Sequence, residues 1–369
     1  MELSNGKNSA SCFFLLSHLA LVSHETFSDC WPTEEGNDRQ IVKLVAGFRE
    51  ADWRELHSLA GTHHVILRAL PRLLSLPIGE EYEWIESAIE TEQARIDRAL
   101  GFLSPICQAL GDAGTVVVMK TLDHWPDFGS DLDLYTDAKS CDVITLMRDR
   151  FQATAAKQSW GDRMANKWNF QVPGLPEMVE VHVQRLGQMG EQSLIGQSLI
   201  ARSMPIQFGL HSFRVPSYED RMIVSTLQRM FRHFYLRLCD VMDLSLTVDR
   251  RMIDYGYLHS LAQSAGLWEG LASYLKIVSD YVKEFRGTGL VLPPFLISAA
   301  RFGGEKITFA KNFLRVPIIP HSARLYVAEL KELFWSGEIR NTFRLGLLPL
   351  LATAAALEYR ISGSDKGIW

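Results

Sequence analysis

Four carboxylates fall between Asp123 and Asp133, in the run TVVVMKTLDHWPDFGSDLDLYTD (115–137). The last two, Asp131 and Asp133, alternate with leucine in GSDLDL. A strand turns successive side chains to opposite faces, so both acids share one face while Leu132 and Leu134 point to the other. Neighbouring carboxylates repel and cost desolvation unless a cation sits between them. Mg²⁺ suits such a pair, because it takes hard oxygen ligands and keeps water or phosphate oxygens in its remaining positions. An edge strand with acids on its wet face is the simpler reading of Asp-x-Asp alone, since alternating polar faces are common in sheets.

Three further features favour the metal. Gly129-Ser130 stands directly before the pair, a small polar turn that lets backbone N–H groups and a hydroxyl approach phosphate oxygens. Glu180, in VEVHV, is again flanked by apolar residues and offers a third carboxylate from a later strand, as a two-metal site requires. Lys120 ends the preceding apolar run and can supply positive charge to a polyphosphate. His182 shares a strand face with Glu180. It can meet a phosphate, orient Glu180, or serve as a hydrogen-bonded structural histidine. Arg163, Lys167 and Arg185 lie near in sequence, and solvated surface charge is the simpler reading of each.

The elements that must hold these residues follow from periodicity. Residues 38–110 repeat apolar positions at three and four, a helical pattern that Gly111 and Gly114 end. TVVVMK (115–120) reads as a buried strand, and SDLDLYT (130–136) as a strand half-buried on one face. Residues 138–156 read as a helix. NKWNFQVPG and MVEVHVQR read as a hairpin. Ser217, with Asp220 three residues on, caps a long helix over 217–248. On it His233 and Asp240 form a buried polar pair, and Phe231, Phe234 and Tyr235 an apolar stripe. Residues 302–320 read as loop, and helices return over 258–286 and 322–360. The chain thus divides into a helical region 1–111, an α/β core 112–215 and a second helical region 216–369.

Composition is that of a globular chain: 369 residues, 47% hydrophobic, 22% charged, net charge -5. No global field attracts nucleic acid or acidic lipid. Five scattered cysteines without CxxC read as reduced thiols of a cytoplasmic protein, with no structural zinc spacing. The apolar run Ser11–Ser23 has one basic residue ahead of it, Lys7, and no small-x-small site behind it. It reads as an amphipathic helix packed on the body rather than a targeting segment. LGLLPLLATAAAL (345–357) is shorter than the roughly 20 apolar residues of a membrane span, and reads as a buried core helix, with a membrane-surface contact as the lesser alternative. Asp127-Phe128-Gly129 mimics a protein-kinase motif, but no glycine-rich loop or His-Arg-Asp accompanies it. His57, His63 and His64 read as ordinary helix or turn residues, since no HExxH or cysteine partner supports a metal.

In their order, VVVMK, GSDLDL and VEVH resemble the nucleotidyltransferase superfamily with the DNA polymerase β-like fold. More closely, they resemble the uncharacterised bacterial nucleotidyltransferase-family proteins, whose helical N-terminal part leads to an apolar strand ending in Lys, then D-h-D-h, then an acid-h-His strand. The resemblance runs from roughly Asp52 to Asp243 in the order of elements. It implies an α+β fold, a small mixed sheet flanked by N- and C-terminal helical regions. It implies that Asp131 and Asp133 bind Mg²⁺ (two ions) with NTP phosphates and that Glu180 is the third metal-binding acid. Lys120, Gly129, Ser130 and His182 would contact the nucleotide. The implied reaction is transfer of a nucleoside monophosphate from an NTP to an acceptor hydroxyl of a small molecule or protein. A non-catalytic nucleotide-binding scaffold and a toxin–antitoxin type adenylyltransferase are the alternatives. Gly-Ser abuts the first acid here rather than lying well before it, and Thr121 follows the lysine where the closer group often has glycine.

Overall fold

Val116–Met119 forms strand β1 because three valines and a methionine bury both faces of the chain. Leu132–Thr136 (β2) pairs with it antiparallel, and Val179–Val183 (β5) pairs with β2 parallel. Lys167–Gln171 (β4) and Thr154–Ala155 (β3) complete a mixed sheet of order β1-β2-β5-β4-β3. This computed structural model describes residues 5–22, 34–77, 82–159, 162–163, 165–186, 193–300, 307–316 and 321–362. The sheet with its surrounding helices is the expected α+β fold.

One face of the sheet carries Val116, Val118, Leu132, Leu134, Val179, Val181 and Val183. They pack on helices whose ranges are Tyr82–Gly111 (α6) and Ser140–Phe151 (α7), through Leu103, Ile106, Val143 and Met147. The opposite face carries Val117, Met119 and Tyr135 and joins a second apolar cluster. That cluster runs through the N-terminal helices Asn5–Leu21 (α1), Glu34–Val45 (α2), Glu50–Thr62 (α3), Ile66–Ala69 (α4) and Pro71–Leu74 (α5). It continues through the later helices Ser193–Ala201 (α8), Tyr218–Thr226 (α9), Leu238–Asp249 (α10), Tyr255–Ser264 (α11), Trp268–Arg286 (α12) and Pro294–Ala299 (α13). The two helical regions therefore share one core. Between α8 and α9 lies the hairpin Met204–Phe208 (β6) and His211–Val215 (β7).

Five expectations are corrected. Strand β2 is buried along all five residues, not half-buried, because helical residues cover its acid-bearing face as well. Helix α1 is not amphipathic: every residue from Leu15 to Leu21 is buried, since α1 threads between α3, α10 and α12. The long helix over 217–248 is broken. Ser217 does accept from the Asp220 N–H at 3.2 Å, capping α9, but a π-helical stretch Leu227–His233 follows. Phe234 then turns left-handed (φ 56°), which ends the helix, and Tyr235–Leu236 forms strand β8. Residues 307–316, read as loop, form the hairpin Thr308–Ala310 (β9) and Phe313–Arg315 (β10). Lys311 and Asn312 both have positive φ, as a two-residue hairpin turn demands, and β10 pairs with β8. The final pair of helices is His321–Trp335 (α14) and Ile339–Ser362 (α15). Leu345 is buried but Leu347 and Leu350 are exposed, so α15 is not a buried core helix over its described side chains.

Candidate active site

The parallel pairing of β2 and β5 sets Asp133 directly beside Glu180. Alternation along β5 then brings His182 to the same face, and its Nε2 lies 2.9 Å from Glu180 Oε1 and 3.9 Å from Asp133 Oδ1. Asp131 lies just before β2 and lines the same cavity. Its carboxyl is raised to about 6, first by burial and then by the charges of Asp133 and Glu180. Glu180 goes the other way. Burial alone would raise it, but Lys120, the His182 hydrogen bond and Lys167 outweigh that and hold it well below the usual range. The crowded acids thus divide the burden: Glu180 stays ionised and Asp131 is the member that takes a proton.

Two lysines neutralise this face. Lys120 Nζ is 2.5 Å from Asp133 Oδ1 and 3.8 Å from Glu180 Oε1. It reaches them because Lys120 adopts φ 52° and turns the chain out of β1. Lys167, on β4, is buried and lies 2.8 Å from Glu180 Oε2 and 3.1 Å from Asp162 Oδ1. It is not solvated surface charge. Arg163 is exposed, and neither it nor Arg185 lines the cavity.

The approach loop is held at every turn. Thr121 Oγ1 accepts from the Asp133 N–H at 2.8 Å and donates to the Asp131 carbonyl at 3.2 Å, so its hydroxyl sets the spacing of the acid pair. Asp123 pairs with Arg221 at 3.2 Å. His124 Nδ1 bonds Asp243. Asp127 accepts from the N–H groups of Leu67 and Arg68 at 2.7 and 3.2 Å and from Arg68 Nε at 3.0 Å. The apparent kinase motif is therefore a buried brace at the start of α4. Arg95 donates to the carbonyls of Phe128 and Gly129 and to Glu177, tying α6 to the entrances of β2 and β5. Ser130 is exposed at the cavity mouth. A Cβ on Gly129 would meet only ordinary contact, so no close approach requires glycine there.

The cavity, of about 220 Å³, has a second wall that the sequence reading missed. Arg229, Arg232 and His233 come from the π-helical stretch, Tyr235 from β8, and Arg237 from the start of α10. Arg229 is buried against Asp240, with Nε at 2.8 Å and a second nitrogen at 2.9 Å. Arg232 has no carboxylate partner among the described residues, and its Nε is buried without a hydrogen bond. Arg237 donates to His64 Nε2 at 2.6 Å. Burial, reinforced by Arg232, Arg229, Lys120 and Arg237, pushes His233 down to about 2, so it faces the cavity as a neutral ring. His63 anchors this wall. Its Nδ1 accepts from the Leu238 N–H and its Nε2 donates to the Asn312 carbonyl, both at 2.9 Å. Burial pushes it down to about 4, in keeping with a neutral ring that donates at one nitrogen and accepts at the other. The predicted pair of His233 and Asp240 does not form, because the left-handed Phe234 separates their elements. Tyr235 likewise leaves the expected aromatic stripe for the cavity.

Residues 129–283 match the family described as an uncharacterised nucleotidyltransferase. The matched span begins at the Gly-Ser turn and includes Asp131, Asp133, Glu180 and the arginine wall, while Lys120 precedes it. No curated protein and no solved structure matches the chain. The match over these residues supports a general nucleotidyltransferase role. The one available signal for the second wall was the run QRMFRHFYLR, whose four basic residues recur too densely for a buried helix face alone.

The donor set fits a divalent ion. Asp133 Oδ1 is buried and accepts no well-directed hydrogen bond. Asp133, Glu180 and His182 each offer a ligand atom within 4.8 Å of one another, and Asp131, outside that group, lines the same cavity with a carboxyl raised by burial and by its acidic neighbours. Hard oxygens from three carboxylates suit Mg²⁺ rather than a thiolate-seeking metal. A second cluster, His124, Cys239 and Asp240, is equally close. Its Asp240 is occupied by Arg229 and the Arg237 N–H, and its His124 by Asp243.

Proposed function

We propose that the chain is a Mg²⁺-dependent nucleotidyltransferase that moves a nucleoside monophosphate from an NTP to an acceptor hydroxyl and releases pyrophosphate. One observation carries this reading: three carboxylates and an arginine wall face each other across one cavity. Acids alone would suit many cations, and arginines alone many anions. A metal-bound polyphosphate needs both, on opposite sides, a few ångströms apart.

Asp131, Asp133 and Glu180 would hold the metal, which when bound supplies the Lewis-acid charge that such phosphoryl chemistry needs. Arg232 and Arg237 grip the triphosphate, and Arg232 is the freer of the two because the Arg237 guanidinium is already engaged by His64 Nε2. Lys120 has a flexible stem and lies between Asp133 and the cavity. It turns from the carboxylates to the phosphates as substrate enters. His182 orients Glu180 through Oε1, while Lys167 fixes Oε2, so the third acid presents one face only. The neutral ring of His233 supplies a hydrogen bond without adding charge. Ser130 and the Gly129 backbone border the phosphates at the mouth. Thr121 keeps Asp131 and Asp133 at fixed separation, which preorganises the site before substrate arrives.

The test is incubation of the purified chain with each NTP and Mg²⁺ together with small-molecule and protein fractions, and mass spectrometry of whatever gains a nucleoside monophosphate. The double substitution Asp131→Ala with Asp133→Ala should abolish transfer. Unchanged NTP turnover in that variant, from a preparation whose parent is active, sinks the assignment.

A further inference from the structure

We infer that the tip of the α14–α15 hairpin is a docking surface for an anionic membrane. The hairpin turns through Ser336, Gly337 and Glu338, with Gly337 at φ 79°. Around that turn, six large apolar side chains stand in water: Phe334, Trp335 (79% exposed), Ile339 (73%), Phe343 (67%), Leu347 and Leu350 (69%). On α15 the four apolar positions 339, 343, 347 and 350 fall within an arc of about 80° at 100° per residue. Leu345 lies on the far side of the helix and is the buried member that seats it on the body. The Tyr326 hydroxyl, from α14, fixes the hairpin by donating to the Leu345 carbonyl. A stripe this long on a helix already anchored by its other face is an interaction surface, not unused core.

Charge decides the partner. Arg340 and Arg344 border one edge of the stripe, at about 100° and 140° on the same projection. Neither has an ion-pair partner among the described residues, and no Asp or Glu occurs from residue 339 to residue 357. Packing stripe on stripe against a second copy would bury the apolar side chains yet bring no acid from residues 339–357 to either arginine. An anionic lipid surface supplies both halves: hydrocarbon for Phe, Trp, Ile and Leu, and headgroup phosphates and carboxylates for the guanidinium groups. Tryptophan beside the turn suits the headgroup boundary. No helix among the described residues is long and apolar enough to cross a membrane, so the hairpin would lie in the surface rather than span it. Helix α14 also packs on the π-helical stretch that lines the active cavity, which puts membrane and cavity on adjoining elements.

Flotation of the full chain with vesicles tests this. The chain should rise with vesicles of phosphatidylcholine and phosphatidylserine, stay down with phosphatidylcholine alone, and be released by salt. Arg340→Gln with Arg344→Gln should lower the partition coefficient roughly thirtyfold, from the attraction that each basic residue near an anionic surface contributes. Phe343→Asp should abolish flotation. Both changes are at side chains that reach solvent, so the melting curve should be unchanged. Leu210→Asp, at an exposed apolar residue away from the hairpin, should leave flotation intact. Failure of the parent chain to float with anionic vesicles overturns the inference. So does equal binding to neutral vesicles, or a Phe343→Asp variant whose only effect is to split a dimer in sedimentation.

Discussion

Replacing Asp131 by asparagine should stabilise the metal-free protein at neutral pH, although it destroys a metal ligand. The side chain sits among Asp133 and Glu180, and its carboxyl is raised from 3.8 to about 6 by burial and by those charges. A group whose folded pKa is raised costs nothing while it is protonated in both states; its penalty grows as pH climbs past the unfolded pKa and is complete above the folded one. The window is therefore about pH 4 to 6, with the full penalty above it. Taken at face value the shift corresponds to about 3 kcal/mol. Asp131 is only partly buried, so screening by water brings the expected gain to about 1–2 kcal/mol, or about 1–3 °C in Tm for a chain of this length. The Asp131→Asn variant should thus melt higher than the parent at pH 7.5 with chelator present, and no higher at pH 4. Added Mg²⁺ should reverse the order at pH 7.5. The parent gains about 2.7 kcal/mol at a hundred times its Kd, and the variant gains far less. Differential scanning fluorimetry at the two pH values, with and without Mg²⁺, reads all of this. A variant that melts lower than the parent at pH 7.5 without metal would show that the ionised carboxylate is stabilised where it stands, and the like-charge account of the site would be wrong.

Glu180→Gln should cost about 3–5 kcal/mol in urea unfolding, because it leaves the buried Lys167 ammonium and the Lys120 charge short of their shared partner. The double substitution with Lys167→Met should recover part of that loss. The two cavity arginines should separate cleanly. Arg232→Ala should leave stability within about 0.5 kcal/mol, since it breaks no ion pair, and raise the KM for NTP by roughly a hundredfold, as loss of a charge-assisted phosphate contact does. Arg229→Ala should instead destabilise the chain by about 3–5 kcal/mol by stranding Asp240. Asp127→Ala should cost about 2–3 kcal/mol, measured by thermal melting, because the N–H groups of Leu67 and Arg68 lose their acceptor.

Much of the acid wall was legible in the sequence because strand alternation is a local rule. Asp131, Asp133, Glu180 and His182 each sit two residues from another member or beside valine and leucine, and periodicity alone assigns their face. The strand register that makes Asp133 and Glu180 neighbours is not local, but the order of motifs was enough to expect it. The reading of 217–248 as one helix failed at a single residue. The apolar spacing there is helical, and nothing in the composition announces that Phe234 will turn left-handed. That turn depends on β8 finding β10, nearly eighty residues later, and on His63 bridging the Leu238 N–H and the Asn312 carbonyl. Thr121 looked like a departure from the lysine-glycine pattern, yet its hydroxyl ties together the two acids.

By itself, then, the sequence determined which residues carry the negative charge, on which strands and which face, because a two-residue period needs no partner to be read. It also determined that the chain has apolar helices on both sides of a small sheet. Only the tertiary structure decided what faces the acids. The arginine wall is assembled from a π-helical stretch, a two-residue strand and a helix start, held in place by contacts from residues 63 and 312. Long-range pairing chose that geometry against the local helical preference, and it brought a cation-rich surface into the cavity that the three carboxylates line.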